Sequence, residues 1–179
     1  MGMVRTHLWF AEDGHEAAEF YVSVIPRSRI TSVQHASEGV PDVPAGTPFI
    51  GELDLDGHAV TILTAGPAFT LDEAFSFVLS VDTQEEVDHY WDALVAGGGE
   101  HSQCGWLRDR YGVSWQVVPR ALEEIMSRPD AAGVQRATAA MLQMRKLETA
   151  ASRARARTAS PSGSAAASER QHQARLRFS

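Results

Sequence analysis

The chain runs through the same series of patterns twice, and that duplication limits its possible folds more than any single motif. "LWFAEDGHEAAEFY" (8–21) and "FVLSVDTQEEVDHYW" (77–91) each pass from an extended apolar stretch through an acidic turn into a helix-spaced segment. "LDLDGHAVTIL" (53–63) and "LRDRYGVSWQVV" (107–118) each set a glycine turn between two strand-like runs. Strand, helix and three strands therefore recur at roughly 5–64 and 75–119. A sheet covered by one helix leaves its other face open, so two such units side by side form paired half-barrels around a concave surface, a sensible place for a ligand. The expected class is α+β: tandem βαβββ modules followed by C-terminal helices.

The local signals are specific. "RTHLWF" alternates, with Leu8 and Phe10 on one face and His7 and Trp9 on the other, as in a half-buried strand. Ala17, Phe20, Tyr21, Val24 and Ile25 follow at helical spacing, with Asp13 expected as the N-cap and Pro26 as the stop. "SRITSVQHA", "FIGELDL" and "HAVTILT" read as strands, the last two joined by the hairpin dipeptide Asp56-Gly57, and the proline-rich stretch 37–48 reads as a loop. In the second unit "FSFVLSVD" is a strand. A capping box, Thr83 to Glu86, opens a helix with an apolar stripe of Val87, Tyr90, Trp91, Leu94 and Val95, which Gly97 to Gly99 end. "CGWLRDR" and "VSWQVVP" form the closing hairpin, turning through Tyr111-Gly112. A short helix near "RALEEIMS" and a single long one over 131–154, with Val134, Ala137, Met141, Met144 and Leu147 on one side, complete the expectation.

Charge is unevenly spread. Residues 151–179 hold six arginines against one acid, Glu169, or +5, which leaves −12 on residues 1–150 of a chain whose net charge is −7. An acidic body lacks the clustered Lys/Arg of a nucleic-acid surface, so no nucleic-acid partner is expected. No apolar run reaches the ~18 residues that span a membrane, and the N-terminus lacks a signal peptide's apolar core. The one cysteine, Cys104, cannot form an internal disulfide. The expectation is a cytoplasmic protein with no membrane partner. The Ala/Ser/Arg-rich stretch from 149 cannot bury enough surface to offset its ordering entropy and reads as a disordered tail.

Taken together, "LWF…EAAEFY", "TQEEVDHYW", "CGWLRDRYGVSWQVVP" and "AMLQM" resemble the PhnB-like branch of the vicinal oxygen chelate superfamily, whose members include glyoxalase I, bleomycin-resistance proteins and extradiol dioxygenases. Members of the branch often carry the name 3-demethylubiquinone-9 3-methyltransferase. The resemblance covers about residues 4–148, implying one domain over 1–148 with the glyoxalase/bleomycin resistance fold, a tail over 149–179 and a homodimer. It also implies a divalent metal held by His and Glu from the first strand of each module and the last strand of its hairpin. The positions that align with those ligands are Arg5 (or Thr6), Thr61, Ala74 and Gln116. Arginine and alanine cannot ligate a divalent metal, and threonine and glutamine are weak ligands, so no metal cofactor is expected. The name's methyl donor, S-adenosylmethionine, usually needs a glycine-rich turn that opens a helix, whereas "AGGG" at 96–99 closes one.

The resulting expectation is a small-molecule groove lined by His7, Trp9, Ser76, Trp106 and Gln116. The tryptophans supply flat apolar surface, and Gln116 and His7 orient a ligand by hydrogen bonds. Two alternatives stand beside it. One is a divergent enzyme binding a divalent metal through His7 with distant acids, whose chemistry is that of a lyase, a dioxygenase or the methyltransferase of the name. The other is an interaction module using the C-terminal helix and basic tail. Lesser candidates each have a structural reading: "HEAAE" (15–19) lacks the second histidine of a zinc protease, Ser76 and Ser114 have no placeable base, and His58 sits at an exposed turn. Cys104 is expected to be buried and inert, on one strand face with Arg108 about 13 Å along it.

Overall fold

The computed structural model describes residues 3–157. The first module comprises β1 (Thr6–Phe10), α1 (Gly14–Val24), β2 (Arg29–His35), β3 (Pro48–Leu55) and β4 (His58–Thr64); the second comprises β5 (Phe77–Val81), α2 (Gln84–Val95), β6 (Glu100–His101), β7 (Trp106–Arg108) and β8 (Ser114–Pro119). Each forms its own four-stranded sheet, in the orders β1-β4-β3-β2 and β5-β8-β7-β6. In both sheets the first strand lies parallel to the last and the other pairings are antiparallel. The duplication read from the sequence is thus a duplication of topology. Hairpins make the antiparallel pairs, and the parallel pair needs the longer crossover through the helix.

One hydrophobic core serves both modules. Leu8, Phe10, Val60 and Ile62 turn inward with Ala17, Ala18 and Tyr21 of α1, and Leu107, Trp115 and Val117 turn inward with Val87, Trp91 and Leu94 of α2. The Asp56-Gly57 turn has both residues at positive φ, 50° and 88°, as a two-residue hairpin requires. The capping box is complete: Glu86 N–H donates to Thr83 Oγ1 at 3.1 Å, and Glu86 Oε2 accepts from Thr83 N–H at 3.1 Å and Asp82 N–H at 2.8 Å. These backbone bonds hold the Glu86 carboxyl below its ordinary pKa. Thr83→Ala is expected to lower stability by about 1 kcal/mol, read as a lower urea midpoint at unchanged slope.

Three expectations need correction. Asp13 stands at the N-cap of α1, but its backbone is left-handed (φ 58°) and its side chain caps nothing. The long C-terminal helix is broken. α3 (Arg120–Met126) is followed by α4 (Ala131–Met141) and α5 (Thr149–Arg157), with a strap of turns and bends between the last two. Tertiary bonds override helical propensity there: Cys104 N–H donates to Met144 O and Gly105 N–H to Arg145 O, each at 2.8 Å, while Leu147 is buried. Gln84 then clamps the strap's end, donating to Leu147 O and accepting from Thr149 N–H. Finally, the tail begins with a helix, since α5 packs Ala156 against Ile125 and Ala137. The rest of the tail lies outside the described residues.

Candidate functional site

Because Leu8 and Phe10 point into the core, their neighbours His7 and Trp9 stand on the open face of the first sheet. Cross-strand pairing sets His7 beside Thr61 and Trp9 beside Leu63, with Glu52 on the far side of Thr61. His7 is exposed and Trp9 half-buried. Trp9 Nε1–H donates to Gly66 O at 2.8 Å, and Phe69 stands edge-on to the indole at 5.0 Å between centroids. Glu52 accepts from Ser32 Oγ at 3.2 Å and lies 3.5 Å from Arg5. Thr61 is buried beneath this group, its hydroxyl without a partner. In the sequence, Glu52 is marked only by its alternation with Leu53 and Leu55, which are both buried.

The second sheet repeats the arrangement with different chemistry. Leu107, Trp115 and Val117 face the core, so Trp106 and Gln116 share the open face, directly opposite each other in register. Gln116 Nε2 donates to Ser76 Oγ at 2.9 Å. Ser76, Trp106 and Gln116 therefore meet on one sheet, while His7 and Trp9 lie together on the other. Trp9 also borders a cleft between the modules, to which the other four do not contribute. Ser114, beside Arg108, is buried with an unpartnered hydroxyl. His58 is exposed as expected, yet it touches both modules, Thr6 Oγ1 at 2.9 Å and the Phe77 ring edge-on at 6.0 Å.

Arg5 precedes β1 and Ala74 precedes β5; the residues paired with Thr61 and Gln116 across the parallel strands are His7 and Val78. Histidine next to threonine and valine next to glutamine do not make a His/Glu site. Among the described residues no group of three or more His, Cys, Asp or Glu could hold a metal ion. The donor set does not fit the superfamily's metal. The glycines after α2 offer no cradle either: a Cβ on Gly99 would lie 2.7 Å from Arg108 O and 2.8 Å from Val95 Cα, so that backbone is already packed against its own module.

The closing hairpin holds the modules together. Asp109, only 3% exposed, accepts four hydrogen bonds: Oδ2 from Tyr21 O–H of α1 (2.9 Å) and Trp115 Nε1–H (2.8 Å), and Oδ1 from Tyr111 N–H (2.9 Å) and Val113 N–H (3.0 Å). Burial raises its carboxyl pKa above the ordinary value even against these four donors. Burial and the adjacent carboxylate push the Tyr21 hydroxyl well up. Cys104 is not on a strand face with Arg108; it is half-buried in a left-handed turn (φ 58°) before β7.

Comparison with known proteins agrees with this architecture. The family model of 3-demethylubiquinone-9 3-methyltransferase matches residues 3–118. A Bacillus cereus PhnB protein whose name carries the same methyltransferase description is 28% identical, with a TM-score of 0.60 over 66% of this chain and 99% of that one. A protein from Pseudomonas aeruginosa, 21% identical, has a TM-score of 0.55 over 66% of this chain and 98% of its own. The fosfomycin resistance protein FosX of Listeria monocytogenes shares the fold at 15% identity and a TM-score of 0.50, over 71% and 98%. No curated protein matches the sequence. With its matched motifs spread across both βαβββ modules, the chain belongs to the PhnB-like 3-demethylubiquinone-9 3-methyltransferase family, within the glyoxalase/bleomycin resistance/dioxygenase superfamily.

Proposed function

We propose that this protein binds a small organic molecule on the open faces of its sheets, as a homodimer in the cytoplasm, without the divalent metal its superfamily uses. The observation that carries the reading is the Gln116–Ser76 hydrogen bond beside Trp106. An amide held in one orientation next to an indole suits recognition of a planar polar ligand, and it offers no strong metal donor. His7 and Trp9 supply the matching pair on the first sheet. Exposed Val78 beside Gln116 gives the second face an apolar margin, where a partner copy can close over the ligand.

The test is calorimetry and tryptophan fluorescence against a panel of aromatic metabolites. A binder should show saturable heat that Gln116→Ala weakens about tenfold or more, the loss of one well-made orienting bond. A panel that gives no response, or equal binding by Gln116→Ala, contradicts the reading. S-adenosylmethionine belongs in the same panel, since stoichiometric binding of it would support methyl transfer instead.

A further inference from the structure

We propose that the cleft between the two modules is a separate binding site for a small aromatic zwitterion, of which a free aromatic amino acid is the simplest example. The cleft is walled by the turn after β1, the linker near Phe69 and the β7–β8 turn, and its volume is about 270 Å³. That lies just below the range for drug-sized ligands and suits a molecule with one ring system.

Three features on its walls point to the ligand's chemistry. The first is an aromatic platform. Trp9 is pinned by its bond to Gly66 O, and Phe69 stands edge-on to it while remaining 66% exposed. A third ring would extend this pair in the geometry aromatic side chains prefer. The second is a pair of carboxylates from the first module, Glu12 and Asp13. The left-handed backbone of Asp13 leaves its side chain off the α1 cap, and among the described residues neither carboxylate has an ion-pair partner. The third is Arg110 of the second module, a residue that lines the cleft. Its guanidinium sits over the rings of Phe20 (4.7 Å) and Tyr111 (4.8 Å), lies beside Gly97 and donates to Tyr111 Oη at 2.8 Å, with no carboxylate within ion-pair distance among the described residues. Its neighbour Arg108 is already paired with Glu100 at 2.8 Å.

Opposite charges thus line one cleft without neutralising each other. A ligand carrying an ammonium and a carboxylate would pair with both, its ring against Trp9 and Phe69. The indole and the guanidinium are held in place beforehand, which reduces the ordering cost of binding. This site shares Trp9 with the sheet-face reading and uses none of its other residues.

Titration calorimetry with L-phenylalanine, phenylacetate and phenethylamine tests it. L-phenylalanine should bind saturably, with a Kd on the order of 1 mM or tighter, and each singly charged analogue about tenfold more weakly. Asp13→Asn should abolish the preference over phenylacetate, Arg110→Gln the preference over phenethylamine, and Phe69→Ala should weaken all three. These side chains are on the surface, and thermal melts would verify that each variant folds. The proposal is overturned if no saturable heat appears, if the three compounds bind alike, or if the variants keep wild-type discrimination. It is equally overturned if Gln116→Ala abolishes L-phenylalanine binding while Arg110→Gln retains it, since the ligand would then lie on the sheet face.

Discussion

Asp109→Asn is expected to destabilise the protein by about 3 kcal/mol and Asp109→Ala by about 4–5. The carboxylate accepts from four donors, two of them side chains from opposite sides of the module joint. Asparagine can satisfy the two backbone N–H groups with its oxygen, but its amide then faces the Tyr21 hydroxyl and the Trp115 indole. The hydroxyl can rotate to accept; the indole N–H can only donate and is left buried without a partner. Alanine strands all four donors. Denaturant unfolding followed by tryptophan fluorescence measures both losses.

The same residue gives a pH signature. Its carboxyl pKa is raised in the folded protein, so the native state binds more protons than the unfolded one across that interval. Its stabilisation is therefore fully present below the unfolded value of about 3.9 and is lost as pH rises through the folded value. The stability gap between wild type and Asp109→Asn should narrow on going from acid towards neutral pH. A gap that widens over that interval would contradict the assignment.

Gly105→Ala is expected to cost about 2–4 kcal/mol, a fall in Tm of roughly 5–15 °C for a chain of this size. Gly105 has φ +83°, and a Cβ there would lie 2.8 Å from Leu147 Cδ1 and 2.9 Å from Val117 O. Leucine could shift but the backbone oxygen could not, because Gly105 O accepts from Val117 N–H at 2.9 Å. The same glycine donates to Arg145 O, so the substitution should also release the strap between α4 and α5. Faster proteolysis within residues 142–148 alongside the lower Tm would show that release; an unchanged Tm would sink the account of the turn.

Topology was legible because it is written in local signals: the alternation of Leu8 and Phe10, the Asp56-Gly57 turn and the Thr83 capping box each act within a few residues. The face assignments of Trp106 and Gln116 followed from the same alternation. What could not be read depends on partners distant in sequence. The helix over 131–154 has good helical spacing, and it breaks because Cys104 and Gly105 offer its carbonyls better-placed donors. Asp13 is a good cap by residue type, but its backbone turns away. Nothing local marks Asp109, since Tyr21 approaches it from 88 residues away. The candidate site residues divide between two sheets because alternation reports which face a side chain takes and not which sheet faces which.

The central claim, proposed above, is that His7, Val78 and Gln116 offer a ligand direct contact where the superfamily holds a metal, with Thr61 buried beneath His7. The most direct measurement is elemental analysis of protein purified without chelator, coupled to thermal melts with added Ni, Zn, Mn and Fe. The account predicts well under one metal per chain and a Tm that these ions leave unchanged. One bound metal per chain, with a Tm that rises on its addition and loses the rise in His7→Ala, would contradict it.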